Sequence, residues 1–111
     1  MDIILASSSP YRQRLLARLQ IPFHCVAPEV DETRLPNEAP AAMAARLALA
    51  KARSIALARP DALVIGSDQV ASLGSRVMGK PGSHQAAFAQ LRSSAGQEVC
   101  FHTGLALHCA A

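Results

Sequence analysis

Ile3-Ile4-Leu5-Ala6 runs without a linker into Ser7-Ser8-Ser9-Pro10, an apolar strand that turns straight into a helix, so the helix must begin at the strand's carboxyl end. Pro10 suits the first helical position and Ser9 the cap before it. Tyr11, Leu15, Leu16 and Leu19 then recur at the spacing of an apolar helix face. Free backbone N–H groups and the positive end of the helix dipole favour an anion at such a start, and three hydroxyls beside Arg12 suit a phosphate. The same serines equally serve a helix that binds nothing, with Ser9 as an ordinary cap. The turn alone leaves both readings open.

Ile21-Pro22 breaks the helical pattern, and Phe23-His24-Cys25-Val26 reads as a second strand ended by Pro28. The polar stretch from Glu29 to Pro40 carries Glu29, Asp31 and Glu32 and reads as a loop. A helix rich in alanine, leucine and arginine follows from Pro40 to Ala58, stopped by Pro60. Along it Met43, Leu47, Lys51 and Ile55 lie four apart and form one row. Lys51 therefore either packs its methylene stem and sends its ammonium to water or points into a cleft.

Ala62-Leu63-Val64-Ile65 is continuously apolar, as in a strand covered on both faces, and Gly66-Ser67-Asp68-Gln69 follows it. That puts Asp68 at the carboxyl end of a central strand, the edge at which open α/β sheets bind ligands. Val70 to Met78, around Leu73-Gly74-Ser75-Arg76, reads as a hairpin that returns Gly79-Lys80-Pro81 to the same edge, making Lys80 a second candidate phosphate ligand. A helix is predicted from Ser83 to Ser94, ended by Gly96. In the last strand Val99, Phe101, Thr103, Leu105 and Leu107 alternate with Cys100, His102, Gly104, Ala106 and His108. Cys100 and His102 thus share a face, where ordinary packing or a surface position explains them better than metal binding.

A chain of 111 residues, half of them apolar and without internal repeats, is one domain or part of one. Its net charge of +3 is dispersed, which favours a local anionic ligand over a nucleic-acid surface. One tyrosine and three phenylalanines give little from which to build a base-stacking platform, so no nucleic-acid partner is expected. The apolar stretches are strand-length or broken by charge, and no basic segment precedes an apolar signal region, so a cytoplasmic protein without a membrane partner is expected. Cys25, Cys100 and Cys109 are an odd number and are expected to be thiols. Cys100-x-His102 and His108-Cys109 lack a second ligand pair at finger-like spacing, which argues against structural zinc.

Taken in order, Leu5-Ala6-Ser7-Ser8-Ser9-Pro10-Tyr11-Arg12, Val30-Asp31-Glu32, Lys51, Gly66-Ser67-Asp68-Gln69-Val70, Gly79-Lys80-Pro81 and Thr103-Gly104 resemble the Maf family of nucleoside triphosphate pyrophosphatases. The resemblance implies an α/β fold of the Maf-like (inosine triphosphate pyrophosphatase-like) kind, a mixed sheet flanked by helices. It also implies hydrolysis between the α and β phosphates with a divalent cation, Mg²⁺ or Mn²⁺. By motif, Ser7 and Arg12 would hold phosphates, and Lys51 and Lys80 would add positive charge. Glu32 and Asp68 would hold the metal, with Asp68 also the proton acceptor. Oxygen ligands of this kind suit a hard cation.

Tyr11 and Gln69 stand where the family selects its base. An aromatic residue at the first position and glutamine at the second resemble the branch that hydrolyses 7-methyl-GTP; the dTTP and UTP branch usually has arginine and threonine. Methylation at N7 gives guanine a positive charge that an aromatic face attracts. Family members continue past the point matching Ala111, so residues 1–111 are expected to be the N-terminal part of a single Maf-like domain. This predicts intact chemistry motifs, weakened substrate holding that leaves turnover by the 111 residues doubtful, and an uncovered sheet prone to self-association, a homodimer included. The alternatives are a non-catalytic nucleotide-binding or regulatory remnant, a pyrophosphatase for dTTP and UTP, and an interaction module whose serines only cap.

Overall fold

A computed structural model describes residues 2–73, 76–78, 92 and 100–109. Its elements are β1 (Ile3–Ala6), α1 (Pro10–Ala17), β2 (His24–Val26), α2 (Pro40–Ala56), β3 (Leu63–Leu73), β4 (Arg76–Met78) and β5 (Cys100–His108). The expected hairpin forms between β3 and β4, with Leu73 opposite Arg76. Of the helix expected from Ser83 to Ser94, only Arg92 is among the described residues. No described helix is long and apolar enough to cross a membrane.

The sheet is mixed. β1 lies between β2 and β3 and is parallel to both. The chain leaves β1 towards β2 on one side and returns to β3 on the other, which opens a crevice beyond the carboxyl ends of the parallel strands. β5 runs antiparallel along one edge of β3, from Val64 opposite His108 to Ser72 opposite Cys100. Because β1 and β4 pair stretches of β3 that overlap this ladder, they share its other edge, β1 as far as Gly66 and β4 from Ala71. Between them Ser67 to Val70 have no strand partner on that edge among the described residues. The crevice opens there.

The eleven-residue length of β3 corrects one expectation: Asp68 is in mid-strand, not at its end. Glycine, serine and aspartate are poor strand formers, but the ladder with β5 continues past them, with Asp68 opposite Gly104. Asp68 still lies two residues beyond the last β1 pairing, at the crevice.

The row of α2 is buried as expected, with Met43, Leu47, Lys51 and Ile55 all on the sheet side. Ile4, Ala6, Ala52, Ile55, Ala56, Ala62 and Val64 form one apolar cluster, and Met43, Ala44, Leu47 and Val70 a second. Burying Ile4, Leu47 or Val64 completely contributes about 1.5–3 kcal/mol each. Lys51 and Asp68 meet between the two clusters.

One expectation about an apolar face changes. No residue of α1 is buried: Tyr11, and Leu19 just past its end, are about two-thirds exposed, and among the described residues no layer covers that helix. In β5 the alternation holds, but Phe101, Leu105 and Leu107 point outwards while Gly104 faces α2. The helix lies so close over Gly104 that a side chain there would meet its backbone. Cys25, Cys100 and Cys109 are not in disulfides, and Ser72 Oγ and His102 Nε2 lie 3.1 Å apart.

Candidate active site

The turn after β1 is built from serines. Ser7 N–H donates to the Leu5 carbonyl at 3.0 Å, and the buried Ser7 Oγ accepts from Ser9 N–H at 3.0 Å. Ser9 is in extended conformation and caps α1 by accepting from Arg12 N–H at 3.3 Å, with Pro10 at the first helical position. The Ser9 cap leaves room for an anion, because one cap satisfies only one of the free N–H groups of the first turn. A cleft of about 190 Å³ lies over this start, lined by Ser7, Ser8, Ser9, Arg12, Pro28, Val30, Glu32 and Lys51. It is smaller than the roughly 300–1,000 Å³ of pockets that enclose whole drug-sized ligands, and its size and polarity suit a phosphate chain.

Lys51 settles its two readings by position. Its ammonium donates to Asp68 Oδ1 at 2.7 Å and lies 3.1 Å from Glu32 Oε1. The Lys51 and Asp68 side chains are 10% and 8% exposed, whereas Glu32 is half exposed. A deeply buried ion pair is thus joined by a third charge at the rim, and Lys51 lies within the cleft instead of extending to bulk water. Two carboxylates from distant segments, one in β3 and one in the loop after β2, converge on a single positive charge.

Of the residues expected to form the site, Ser7, Arg12, Glu32 and Lys51 line the cleft, and Asp68 joins it through Lys51. Tyr11 and Gln69 do not line it. Tyr11 is exposed on α1, and Gln69 is exposed on the face of β3 opposite Asp68, as its neighbouring position in the strand requires. Lys80 lies outside the described residues. Pro28 and Val30 complete the wall, and Val30 had been signalled only as a neighbour of the acidic motif.

The loop that delivers Glu32 is tied down by charges that the site itself does not use. Arg46 of α2 forks onto the Glu38 carboxylate at 2.6 and 2.9 Å and donates to the Thr33 carbonyl at 3.0 Å. Hydrogen bonds from Arg46, then the Leu35 amide and the charges of Arg46 and Arg34, hold the Glu38 carboxyl below its ordinary value of 4.5 despite its burial. The Thr33 hydroxyl and amide likewise lower Asp31. A carboxyl depressed by folding stabilises above its unfolded value, and that contribution is lost as pH falls through the folded one. Amide protection over residues 31–38 is therefore expected to be full above about pH 4.5 and to fall below it. Glu38→Gln should show reduced protection already at neutral pH, leaving only the Asp31 step; protection unchanged in that variant would contradict the assignment.

Comparisons with known proteins place the chain in a family. The family model described as Maf-like protein matches residues 2–111. The chain is 57% identical over 105 residues to a 7-methyl-GTP pyrophosphatase of Nitrosococcus oceani, covering 95% of this chain and 53% of that protein. It is 55% identical over 107 residues to one of Polaromonas sp. (96% and 49%) and 54% identical over 105 residues to one of Thiobacillus denitrificans (95% and 52%). The chain spans about half the length of the curated relatives it matches. With a match from the first strand to the last residue, and with its serine turn, Lys51 and both acidic motifs gathered at one crevice, the chain belongs to the Maf family.

Proposed function

We propose that the protein is a nucleoside triphosphate pyrophosphatase that hydrolyses 7-methyl-GTP to 7-methyl-GMP and diphosphate. The observation that carries this reading is the bridging of Asp68 and Glu32 by Lys51 beside a serine-lined helix start. The names of the relatives support the substrate: the matched proteins of Nitrosococcus oceani, Polaromonas sp. and Thiobacillus denitrificans are each called 7-methyl-GTP pyrophosphatase.

In this reading Ser7 and Arg12 receive phosphate oxygens, helped by the free N–H groups of α1. Asp68, with Oδ1 held by Lys51, accepts the proton of the attacking water. Water oxygen bonds to the α phosphorus, the bond from that phosphorus to the bridging oxygen breaks, and diphosphate departs. Lys51, with Lys80, offsets the charge that builds on the phosphates. The family motif assigns selection of the base to Tyr11 and Gln69; Gln69 lies on the far face of β3, and it is the exposed ring of Tyr11 that offers its face to a cationic guanine.

The donor set fits a hard divalent cation, since two carboxylates converge on one charge position and no third His, Cys, Asp or Glu among the described residues completes an all-protein cage. Mg²⁺ is typically held by one or two carboxylates, with water and substrate phosphates filling the rest. Glu32 and Asp68 would hold it. When bound, such a cation supplies charge stabilisation and orientation of phosphate oxygens.

Pyrophosphate release by the purified 111-residue chain from 7-methyl-GTP, GTP and UTP, with and without Mg²⁺ or Mn²⁺, tests the proposal. Any release is expected to be metal-dependent, fastest from 7-methyl-GTP, and slow, since the chain spans about half the length of its relatives. Release of orthophosphate would replace the reaction class, and preference for UTP would replace the substrate. Nucleotide binding without turnover by a folded chain would mean that the portion present in the longer relatives is required for turnover, leaving these residues a nucleotide-binding remnant.

A further inference from the structure

Glu32 belongs to neither a helix nor a strand, yet it meets Lys51 from the loop between β2 and α2. A half-exposed ion pair is too weak to order a loop against its conformational entropy, so something else must place this carboxylate. Arg46 is suited to do so. Its Nε and Nη2 donate to Glu38 Oε2 and Oε1 at 2.6 and 2.9 Å, and the same Nη2 reaches the carbonyl of Thr33, the residue after Glu32, at 3.0 Å. Glu38 Oε1 also accepts from Leu35 N–H at 3.2 Å, and the Glu38 carbonyl accepts from Arg34 Nε and Nη2 at 2.9 and 2.6 Å. One guanidinium thereby fastens both ends of the 33–38 turn to α2, the helix that also carries Lys51. The planar fork matters, because an ammonium cannot hold a carboxylate bidentately and a carbonyl in one fixed geometry.

We infer that Arg46 is a positioning residue for Glu32: through Glu38 and the Thr33 carbonyl it sets the turn so that the Glu32 carboxylate meets Lys51 beside Asp68. Its consequence for metal binding rests on the pyrophosphatase reading above; its consequence for the Lys51 cluster does not. The alternative is a clamp that only stabilises the fold. In that case Arg46 and Glu32 would act independently, and loss of one would leave the effect of losing the other intact.

The test uses the full chain as wild type, Arg46→Gln, Arg46→Lys, Glu32→Gln and the Arg46→Gln/Glu32→Gln double variant. The ¹⁵N-detected signal of the Lys51 ammonium, recorded without metal, reports the cluster directly. Arg46→Gln should move it as Glu32→Gln does, Arg46→Lys should move it part of the way, and the double variant should match Glu32→Gln alone. Mn²⁺ affinity, measured separately, should fall about 10-fold or more in Arg46→Gln, as for loss of a group supporting a metal ligand, with no further loss from Arg46→Gln once Glu32 is replaced. An unmoved Lys51 signal in Arg46→Gln, or additive effects in the double variant, would overturn the inference. If the Lys51 signal moves as expected while even the wild type binds no Mn²⁺, the positioning role stands and the metal assignment of Glu32 and Asp68 fails instead. Should Arg46→Gln not fold, Arg46→Lys and Glu38→Gln carry the same comparison.

Discussion

Asp68→Asn is expected to lower pyrophosphate release by about 10²–10⁴-fold, the usual worth of a positioned general base, with nucleotide affinity largely kept. Because Asp68 is also proposed to hold the cation, the substitution reports on proton transfer only at saturating Mg²⁺, where asparagine, with nearly the shape of aspartate, still offers one side-chain oxygen. It retains a side-chain oxygen to accept from the Lys51 ammonium, which now donates to Oδ1 at 2.7 Å. Asparagine cannot take a proton from water at neutral pH. Glu32 still lies 3.1 Å from the same ammonium and keeps a negative charge beside it, so Lys51 is not left as a lone buried cation. Single-turnover rates with saturating 7-methyl-GTP and Mg²⁺, set beside nucleotide binding by calorimetry, separate the two effects. Retained turnover would place the proton on another group, and loss of binding in proportion to rate would make Asp68 a structural partner of Lys51.

How far this site could be read from the sequence depended on whether its determinants are local. Ser9 and Pro10 announce the start of α1 by their own backbone chemistry, and the cap forms as expected. The row of Met43, Leu47, Lys51 and Ile55 follows from helical geometry alone, and its burial brought Lys51 to the crevice. Asp68 was readable as a candidate residue at the crevice but not as a mid-strand one, because its extended conformation depends on β5, opposite it at Gly104. Glu38 and Arg46 were not singled out. Charged residues in a polar loop and off the apolar row of a helix read as a solvated surface, and only the folded path of residues 33–38 brings them together. The face of α1 failed for a related reason. Tyr11, Leu15 and Leu19 have helical periodicity, but periodicity names a face without supplying the layer to cover it.

The remaining large effect comes from glycines whose role is steric. Gly66→Ala is expected to destabilise the fold by about 1–2 kcal/mol net, overpacking costing roughly 1–3 kcal/mol and the stiffer unfolded chain returning about 0.4–1 kcal/mol. A Cβ on Gly66 would overlap the carbonyl oxygen of Ala48 and lie 2.8 Å from the Ala52 amide nitrogen and 2.9 Å from the Ala52 Cβ. Two of these three atoms are helix backbone, which cannot rotate aside. The whole of α2 would have to lift from β3, loosening the cluster around Ala52 and Val64 and drawing Lys51 away from Asp68. Gly104→Ala meets the same helix one turn earlier, at the Ala44 carbonyl, and should cost a similar amount. Urea denaturation gives the measurement, a lower midpoint with an unchanged slope being the expected signature. Ala52→Gly combined with Gly66→Ala removes the side-chain contact but not the clash with the Ala48 carbonyl, so it should fail to restore stability. Full rescue by that pair would show that the Ala52 methyl, and not the helix backbone, sets the distance between α2 and the sheet.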